Sequence, residues 1–323
     1  MDFGNYYKSL QKKINDKLVS LVREKYPPNL YNPIKYALSQ KGKRIRPILL
    51  IFSCEAIGGS LKDCFDAAIA IEVLHDFTLV HDDIMDDDNF RRGNKTIHAK
   101  WDKNVALLCG DGLNALAYNS LLKSNEKHIK RITSIFSDGI VKVCEGQSLD
   151  KDFEVIEDVG MKEYIYMIKM KTGILMSISS EIGAILGGGS EKQISAFRLF
   201  GMNIGIAFQI QDDLLDIISN RKTLGKQPGS DLVKGKKTYP LILLNQKADN
   251  KEKYYLKKLV KKIKIEKEDI FFIKELLNKY EIISYIKKEV NKRIKKSTGY
   301  LKNLGNNTEN LFRLAEMIEN RRY

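Results

Sequence analysis

Cysteine is scarce in this sequence. Only four cysteines occur among 323 residues. They form no CxxC pair and do not stand at the spacing of a metal-binding motif, which argues against a cysteine-based metal site. Their neighbours are apolar, so we expect buried thiols at Cys54, Cys64, Cys109 and Cys144.

Long uncharged apolar runs are also absent. Hydrophobic residues make up 43% of the chain, enough for a substantial core, but no stretch is long and uncharged enough to cross a bilayer. The first five residues lack the basic region and apolar stretch of a secretory signal. We therefore expect a soluble, cytoplasmic protein. Because nothing inside the chain has the composition of a long linker, we also expect a single domain over residues 1–323.

Positive charge exceeds negative charge in this chain. It has 55 Lys and Arg residues against 41 Asp and Glu residues, a formal net charge of +14. The excess is concentrated in two lysine-rich segments, 257–262 and 287–296, where lysines recur on helical faces beside Ile and Leu. Aromatic platforms are not interleaved with these lysines. We interpret them as a solvated surface and expect no nucleic-acid partner.

Strand signals are missing as well. Almost every apolar segment repeats at helical spacing, and no alternating β-branched segment is bounded by turn residues. The sequence therefore predicts an all-α fold, a single large helical bundle. Residues 67–80 and 196–211 are apolar on most faces, as helices in the middle of a bundle are. Further helices are predicted at 5–25, 45–57, 104–123, 128–150, 160–187, 238–247 and in several pieces from 251 onwards.

Residues 220–237 are the one stretch with clear loop chemistry. Gly225, Pro228, Gly229 and Gly235 stand there among charged residues. Glycine and proline are strong breakers of regular structure. We interpret this stretch as a mobile lid.

Each of the two apolar helices runs into a cluster of aspartates. The first cluster is HDDIMDDD at 81–88, and the second is QDDLLD at 211–216. Both contain DDxxD. Residues four apart on a helix lie one above the other, so Asp82 and Asp86 point the same way, as do Asp212 and Asp216. Two negative charges one turn apart repel each other. At the end of an apolar helix this repulsion lowers stability unless a cation relieves it.

The paired aspartates predict a magnesium site. Carboxylates are ligands of hard cations, and Mg²⁺ usually takes one or two of them while phosphates and water complete its octahedron. A single DDxxD is most simply a solvated helix end. Two of them, about 130 residues apart and each ending a buried helix, predict a clamp that holds one diphosphate from both sides of a bundle cavity.

A diphosphate also needs protein cations, since arginine forms bidentate phosphate contacts and lysine acts as a point charge. Lys171 is the most specific candidate. It interrupts an apolar helix, where a lysine without a nearby acid would be costly unless an anion binds it. The other candidates stand before a predicted helix, after the first aspartate cluster or beside the glycine-rich loop: Lys43, Arg44, Arg46, Arg91, Arg92, Lys226 and Lys236.

With these motifs the sequence resembles the trans-prenyl diphosphate synthases, the family that includes farnesyl and geranylgeranyl diphosphate synthases. The resemblance covers nearly the whole chain in the family's order of motifs: GKRIRP (42–47), DDIMDDDNFRRG (82–93), GD (110–111), EGQSLD (145–150), KT (171–172), FQIQDDLLD (208–216), GKQPGSD (225–231) and GKKTYPL (235–241). It implies the isoprenoid synthase fold and a prenyltransferase that condenses isopentenyl diphosphate with an allylic diphosphate. It also implies a homodimer.

The resemblance assigns roles to individual residues. Three Mg²⁺ ions would be held by six aspartates: Asp82, Asp83, Asp86, Asp212, Asp213 and Asp216. The allylic diphosphate would contact Arg91, Lys171, Lys226 and, less directly supported, Lys236. Isopentenyl diphosphate would bind through Lys43, Arg46, His75 and Arg92. Thr172 and Gln209 would stabilise the carbocation that forms when the allylic carbon–oxygen bond breaks.

Product length is the finest implication of the resemblance. Phe77 and Thr78 precede Asp82 by five and four residues, which places them roughly 6–8 Å below the metal end of their helix. Phe77 could also serve only to pack the core. An aromatic residue followed by a small one resembles archaeal-type geranylgeranyl diphosphate synthases, so we favour a C20 product over C15 and over longer chains.

Three other functions fit the sequence less well. A non-catalytic regulatory subunit of a prenyl synthase would be expected to have a degraded aspartate motif, and both motifs are complete here. A terpene cyclase would not need Lys43 and Arg46. A basic nucleic-acid binder is the least favoured.

Overall fold

Helices make up nearly all of the regular structure in the computed structural model, which describes residues 2–22, 26–218, 234–260, 266–302, 304 and 307–320. In chain order they are α1 (Phe3–Ser20), α2 (Pro28–Leu38), α3 (Ile45–Ile57), α4 (Leu61–Met85), α5 (Ile97–Lys100), α6 (Lys103–Leu121), α7 (Glu126–Val155), α8 (Met161–Ile168), α9 (Ile174–Leu186), α10 (Glu191–Ile218), α11 (Tyr239–Lys247), α12 (Asn250–Val260), α13 (Lys267–Lys279), α14 (Ile282–Leu301) and α15 (Glu309–Glu319). The all-α prediction is confirmed.

The core is built around α4 and α10. Residues 67–74 of α4 and 203–207 of α10 are all buried, as their apolar sequence predicted. Helix α4 packs on α3 and α6, whereas α10 packs on α9 and α14, and α3 and α9 pack on each other between them. The two helices that carry the aspartates therefore belong to one continuous core.

A short hairpin follows α4. Strands β1 (Phe90–Arg91) and β2 (Asn94–Lys95) pair antiparallel, with Phe90 opposite Lys95. Arg92 and Gly93 form the turn with φ of 52° and 80°, the left-handed values that two-residue hairpin turns need. The hairpin was not predicted, because two-residue strands leave no periodicity to detect.

Two other expectations need correction. Helix α2 was not predicted, because Pro28 begins it and Pro33 lies inside it, and proline argues against a helix interior. Cys144 was expected to be buried, but it lies on an exposed face of α7. The other three cysteines are buried, and all four are free thiols.

A π-helical turn over Lys169–Gly173 joins α8 to α9. Two close helix approaches fix it. A Cβ added to Gly146 of α7 would lie 2.2 Å from the backbone nitrogen of Lys171, and one added to Gly205 of α10 would lie 2.8 Å from the Cα of Gly173. Because only glycine permits these approaches, the turn is held between α7 and α10. Its side chains can therefore reach both helices.

Within the described residues, no helix is both long enough and apolar enough to span a membrane. The predicted lid, 220–237, lies outside the described residues except for its last four positions.

Candidate active site

The first aspartate cluster wraps around the C-terminal end of α4. Asp87 has a left-handed φ of 52°, and the backbone nitrogen of Asp88 donates to the carbonyl of Asp83 at 3.0 Å. This is a Schellman-type end, in which a non-glycine residue takes the left-handed position. The partial negative charge of a helix C-terminus is unfavourable for carboxylates. The cluster therefore depends on cations.

Asp86 is surrounded by three lysines. Its carboxylate lies 2.6 Å from Lys236 Nζ, 3.7 Å from Lys234 Nζ and 3.5 Å from Lys151 Nζ. Burial alone would raise the pKa of Asp86, but attraction to Lys236, Lys234 and Lys171 outweighs burial and holds that pKa far below its usual range. Asp86 is therefore ionised.

Asp82 and Asp83 differ in their surroundings. Burial raises the pKa of Asp82, and attraction to Lys171 and Arg91 opposes that rise. Asp83 is almost fully buried, and its Oδ1 accepts a hydrogen bond from Arg91 Nε at 2.6 Å. Arg91 is thus tied to the first cluster by an ion pair.

The second cluster lies in the last described turns of α10. Asp213 is buried. Its Oδ1 accepts from Gln209 Nε2 at 2.8 Å, and its Oδ2 accepts from the backbone nitrogen of Tyr239 at 2.9 Å and from the hydroxyl of Tyr164. Burial, and then the charge of Asp213, raise the pKa of Tyr164 well above its usual value, so the hydroxyl stays a donor.

Asp212 and Asp216 are the more open members of this cluster, since both are partly exposed. Attraction to Asp212 works against the lowering of the Arg46 pKa that burial causes. Asp212 therefore lies within electrostatic reach of a cation on α3.

A chain of polar contacts joins the two clusters. Lys236 bridges Asp86 to Asp150 of α7, at 2.6 and 3.7 Å. Asp150 also pairs with Lys171 in the π-helical turn, at 2.6 Å. The next residue, Thr172, donates to Gln209 Oε1 at 2.8 Å, and Gln209 in turn holds Asp213. The second cluster contributes Asp213 to a polar pocket, and the first cluster is linked to this pocket through the contact of Asp86 with Lys236. The pocket is lined by Asp150, Tyr164, Lys171, Thr172, Gln209, Asp213 and Lys236 among others.

One premise about Lys171 was wrong. The sequence suggested a lysine with no nearby acid, but Asp150 lies at hydrogen-bond distance. Asp150 is 21 residues away in sequence, and only the packing of α7 on the turn brings the two together. Asp150 and Tyr164 were both missed as site residues. The available signal for Asp150 was that EGQSLD ends on it.

The predicted isopentenyl-binding residues gather near the start of α3. Arg46 Nη1 is 3.0 Å from His75 Nε2. Burial, and then Arg46, lower the pKa of His75 well below its usual value. The ring is therefore neutral and accepts from Arg46 through Nε2. Arg92 is exposed in the hairpin turn, where it donates to the carbonyl of Lys41 at 2.9 Å, and Lys43 is also exposed.

The remaining predicted residues divide into two groups. Phe77 and Thr78 are partly buried on α4, and the Phe77 ring lies 4.7 Å from the His81 ring between centroids. Lys226 lies outside the described residues.

The residues present fit Mg²⁺ as a partial site. In the described ranges, no three histidine, cysteine or acidic side chains converge to hold a metal by themselves. Mg²⁺ usually takes one or two protein carboxylates and completes its shell with phosphate and water. Asp86 supports the fit, because within the described part of the chain its buried Oδ1 accepts no hydrogen bond and lies 3.5 Å from Lys151 Nζ.

The fold and this site define a helical enzyme of the isoprenoid synthase type. The polyprenyl synthetase family model matches residues 27–278. The chain belongs to this family and is a trans-prenyl diphosphate synthase. The family is in general magnesium-dependent.

Individual relatives agree with the family assignment. A geranylgeranyl pyrophosphate synthase of Geoglobus acetivorans is 44% identical over 237 residues, which cover 73% of this chain and 74% of that protein. A geranylfarnesyl diphosphate synthase of Natronomonas pharaonis is 37% identical over 244 residues, 70% of this chain and 71% of that protein. The crystal structure of geranylgeranyl pyrophosphate synthetase from Pyrococcus horikoshii Ot3 has a TM-score of 0.90 at 35% identity, covering 99% of this chain and 100% of that one.

The Asp150 bridge yields a first prediction. Asp150→Asn removes the charge that holds Lys171 and Lys236, and a hydrogen bond to a charged group contributes about 1.5–3 kcal/mol. We expect kcat/KM for the allylic substrate to fall roughly 10–100-fold, as measured by steady-state kinetics. Asp152→Asn, at an exposed position on the same helix, is the control and should change kcat/KM little. Equal activity of the two variants would contradict a role for the bridge.

Proposed function

We propose that this chain is a Mg²⁺-dependent geranylgeranyl diphosphate synthase. It joins isopentenyl diphosphate to allylic prenyl diphosphates until the product reaches C20. The observation that carries the proposal is a chain of contacts that connects the two acidic helix ends through the cations between them. It runs from Asp86 through Lys236, Asp150 and Lys171, and Thr172, Gln209 and Asp213 continue it.

The metal set follows from the two clusters. Asp82, Asp83, Asp86, Asp212, Asp213 and Asp216 would hold three Mg²⁺ ions, with Asp83 and Asp213 also fixed by protein donors. When bound, the ions supply positive charge to the diphosphate leaving group. Lys171, Lys236, Arg91 and Lys226 would add protein charge to the same group.

The reaction itself uses few protein groups. The allylic carbon–oxygen bond breaks, and its electron pair leaves with the diphosphate. The double bond of isopentenyl diphosphate, held by Lys43, Arg46, His75 and Arg92, then attacks the carbocation. The departing diphosphate takes the proton that is lost. Thr172 and Gln209 line the pocket and are hydrogen-bonded to each other. Their oxygen dipoles would stabilise the carbocation.

Assembly and location complete the proposal. The chain acts as one domain and as a homodimer. Leu107 and Leu108 on α6 and Val141 on α7 are 45%, 58% and 56% exposed, and a dimer interface over these helices would bury them. Sedimentation of the pure protein tests the dimer, and a monomer at micromolar concentration would exclude it. Four free thiols are consistent with a reducing, cytoplasmic location.

A turnover assay tests the proposed reaction. Isopentenyl diphosphate is supplied with a C5, C10 or C15 allylic primer, and the products are separated by chromatography. We expect C20 from every primer, and complete loss of turnover after chelation that added Mg²⁺ restores. Asp212→Asn should lower kcat roughly 10²–10³-fold, because a carboxylate that would hold Mg²⁺ beside the leaving group is lost. Undiminished turnover in the chelated enzyme would exclude the mechanism.

Product length gives a separate prediction. If the Phe77 ring stops the growing chain, Phe77→Ala should shift the main product from C20 to C25 or longer. Phe65→Ala makes the same change at another partly buried position of α4, 17 residues before Asp82, and should leave C20 as the main product. An unchanged product length in Phe77→Ala would restrict Phe77 to core packing.

A further inference from the structure

Two buried acids lie one turn apart on α4 and face the start of α3. Glu72 is 3% exposed and Asp76 is 6% exposed. Glu72 Oε2 and Asp76 Oδ2 accept no hydrogen bond from the residues the structure describes. Buried carboxylates are unfavourable unless cations balance them. Neither acid belongs to a DDxxD motif, so the two require a separate explanation.

Arg44 is the cation closest to both acids. Its Nη1 lies 2.6 Å from Glu72 Oε1 and 3.9 Å from Asp76 Oδ2. Its Nε donates to Asn15 Oδ1 at 2.9 Å, and its Nη2 donates to the carbonyl of Gln40 at 2.5 Å. Arg44 is only 3% exposed. Its guanidinium is therefore fully engaged inside the protein and is not available to a substrate.

Fixing Arg44 fixes the residues beside it. Arg44 is the N-cap of α3 and has a left-handed φ of 54°, which is uncommon for a residue other than glycine. The neighbouring Lys43 points out to solvent. Arg46, two residues further on, lies against His75. The pair between Arg44 and Glu72 thus sets the backbone from which both Lys43 and Arg46 project.

Two arginines near the acids keep donors for a ligand. Arg46 Nε is buried and has no hydrogen-bond partner among the described residues. Arg92 is exposed, and its Nη1 donates to the carbonyl of Lys41. Attraction to Glu72 and Asp76 opposes the lowering of the Arg46 pKa by burial. Glu72, the stronger of the two influences, therefore favours the charged form of Arg46 without occupying its Nε.

We propose that Glu72 and Asp76 are positioning residues for the isopentenyl diphosphate subsite. Glu72 holds Arg44 as the anchor of the subsite, and Asp76 sets how much negative charge stands behind Arg46 and Arg92, which receive the diphosphate. This inference rests on the proposed function. Neither acid touches the substrate, so their loss should change binding of the second substrate more than the chemical step.

Asp76 can change its charge near neutral pH. Burial, and then repulsion from Glu72, raise the pKa of Asp76 to about 8, against the attraction of Arg44, Arg92 and Arg46. Cys109 is the group of α6 that faces Asp76. Burial, and then the charge of Asp76, raise the pKa of its thiol. Asp76 is mostly protonated at neutral pH and ionises as the pH rises. Its negative charge then competes with a diphosphate for Arg46 and Arg92.

The first test separates the two substrates. In Glu72→Gln, KM for isopentenyl diphosphate should rise about tenfold or more, because a buried charge-assisted contact is lost. The KM for the allylic primer and kcat should stay within about threefold. Glu55→Gln removes a half-buried acid of α3 that pairs with Tyr6 instead, and it should leave all three constants unchanged. Parallel changes in both KM values and kcat would overturn the positioning role.

The second test uses pH, and it stands if Glu72→Gln fails to fold. The KM of the wild type for isopentenyl diphosphate should rise severalfold as the pH passes through the Asp76 pKa, whereas Asp76→Asn should show no such rise. An equal rise in both proteins would overturn the part of the proposal that concerns Asp76.

Direct binding keeps this inference distinct from the proposed function. Calorimetric titration with isopentenyl diphosphate alone reads the subsite without turnover. Absence of turnover by the wild type with every primer would count against the proposed function. If folded Glu72→Gln bound isopentenyl diphosphate as tightly as the wild type, the inference would be contradicted. The same holds if the affinity of Asp76→Asn equalled that of the wild type at high pH as well as at neutral pH.

Discussion

Crowded negative charge at two helix ends is the constraint on which the rest of this structure depends. Helices α4 and α10 are buried along much of their length, yet each ends in a run of aspartates, and a helix C-terminus already carries partial negative charge. Carboxylates in that position destabilise the fold unless cations approach them. The lysines around Asp86 and the arginine that pairs with Asp83 meet this requirement within the protein itself.

The same lysines are candidates for binding the substrate. Lys171 and Lys236 share Asp150, and Lys236 also contacts Asp86. A diphosphate that enters the pocket brings negative charge of its own, so it competes for cations that already have acidic partners. Such an exchange leaves no lysine buried without a counter-charge at any stage.

Local patterns predicted much of the fold and most of the candidate site. Helical spacing identified α3, α4 and α10, since burial of one face leaves a regular apolar repeat. Contacts between distant segments produce no such repeat in the sequence. The apolar context of Lys171 suggested an unpaired cation, and its pairing with Asp150 depends on two glycine contacts that seat the π-helical turn between α7 and α10. In the sequence, Glu72 is one polar residue in an apolar run. Its pairing with Arg44 depends on the packing of α3 on α4.

The sequence by itself determined the helical class, the two aspartate clusters and the types of cation around them, because these depend on composition and on spacing within single helices. Only the tertiary structure decided which acid meets which cation. Ion pairs join residues that are 21, 28 or 150 positions apart, and such partners are selected by helix packing rather than by sequence proximity. Packing likewise separated Asp83 and Asp213, each held by protein donors, from the more open Asp82, Asp212 and Asp216.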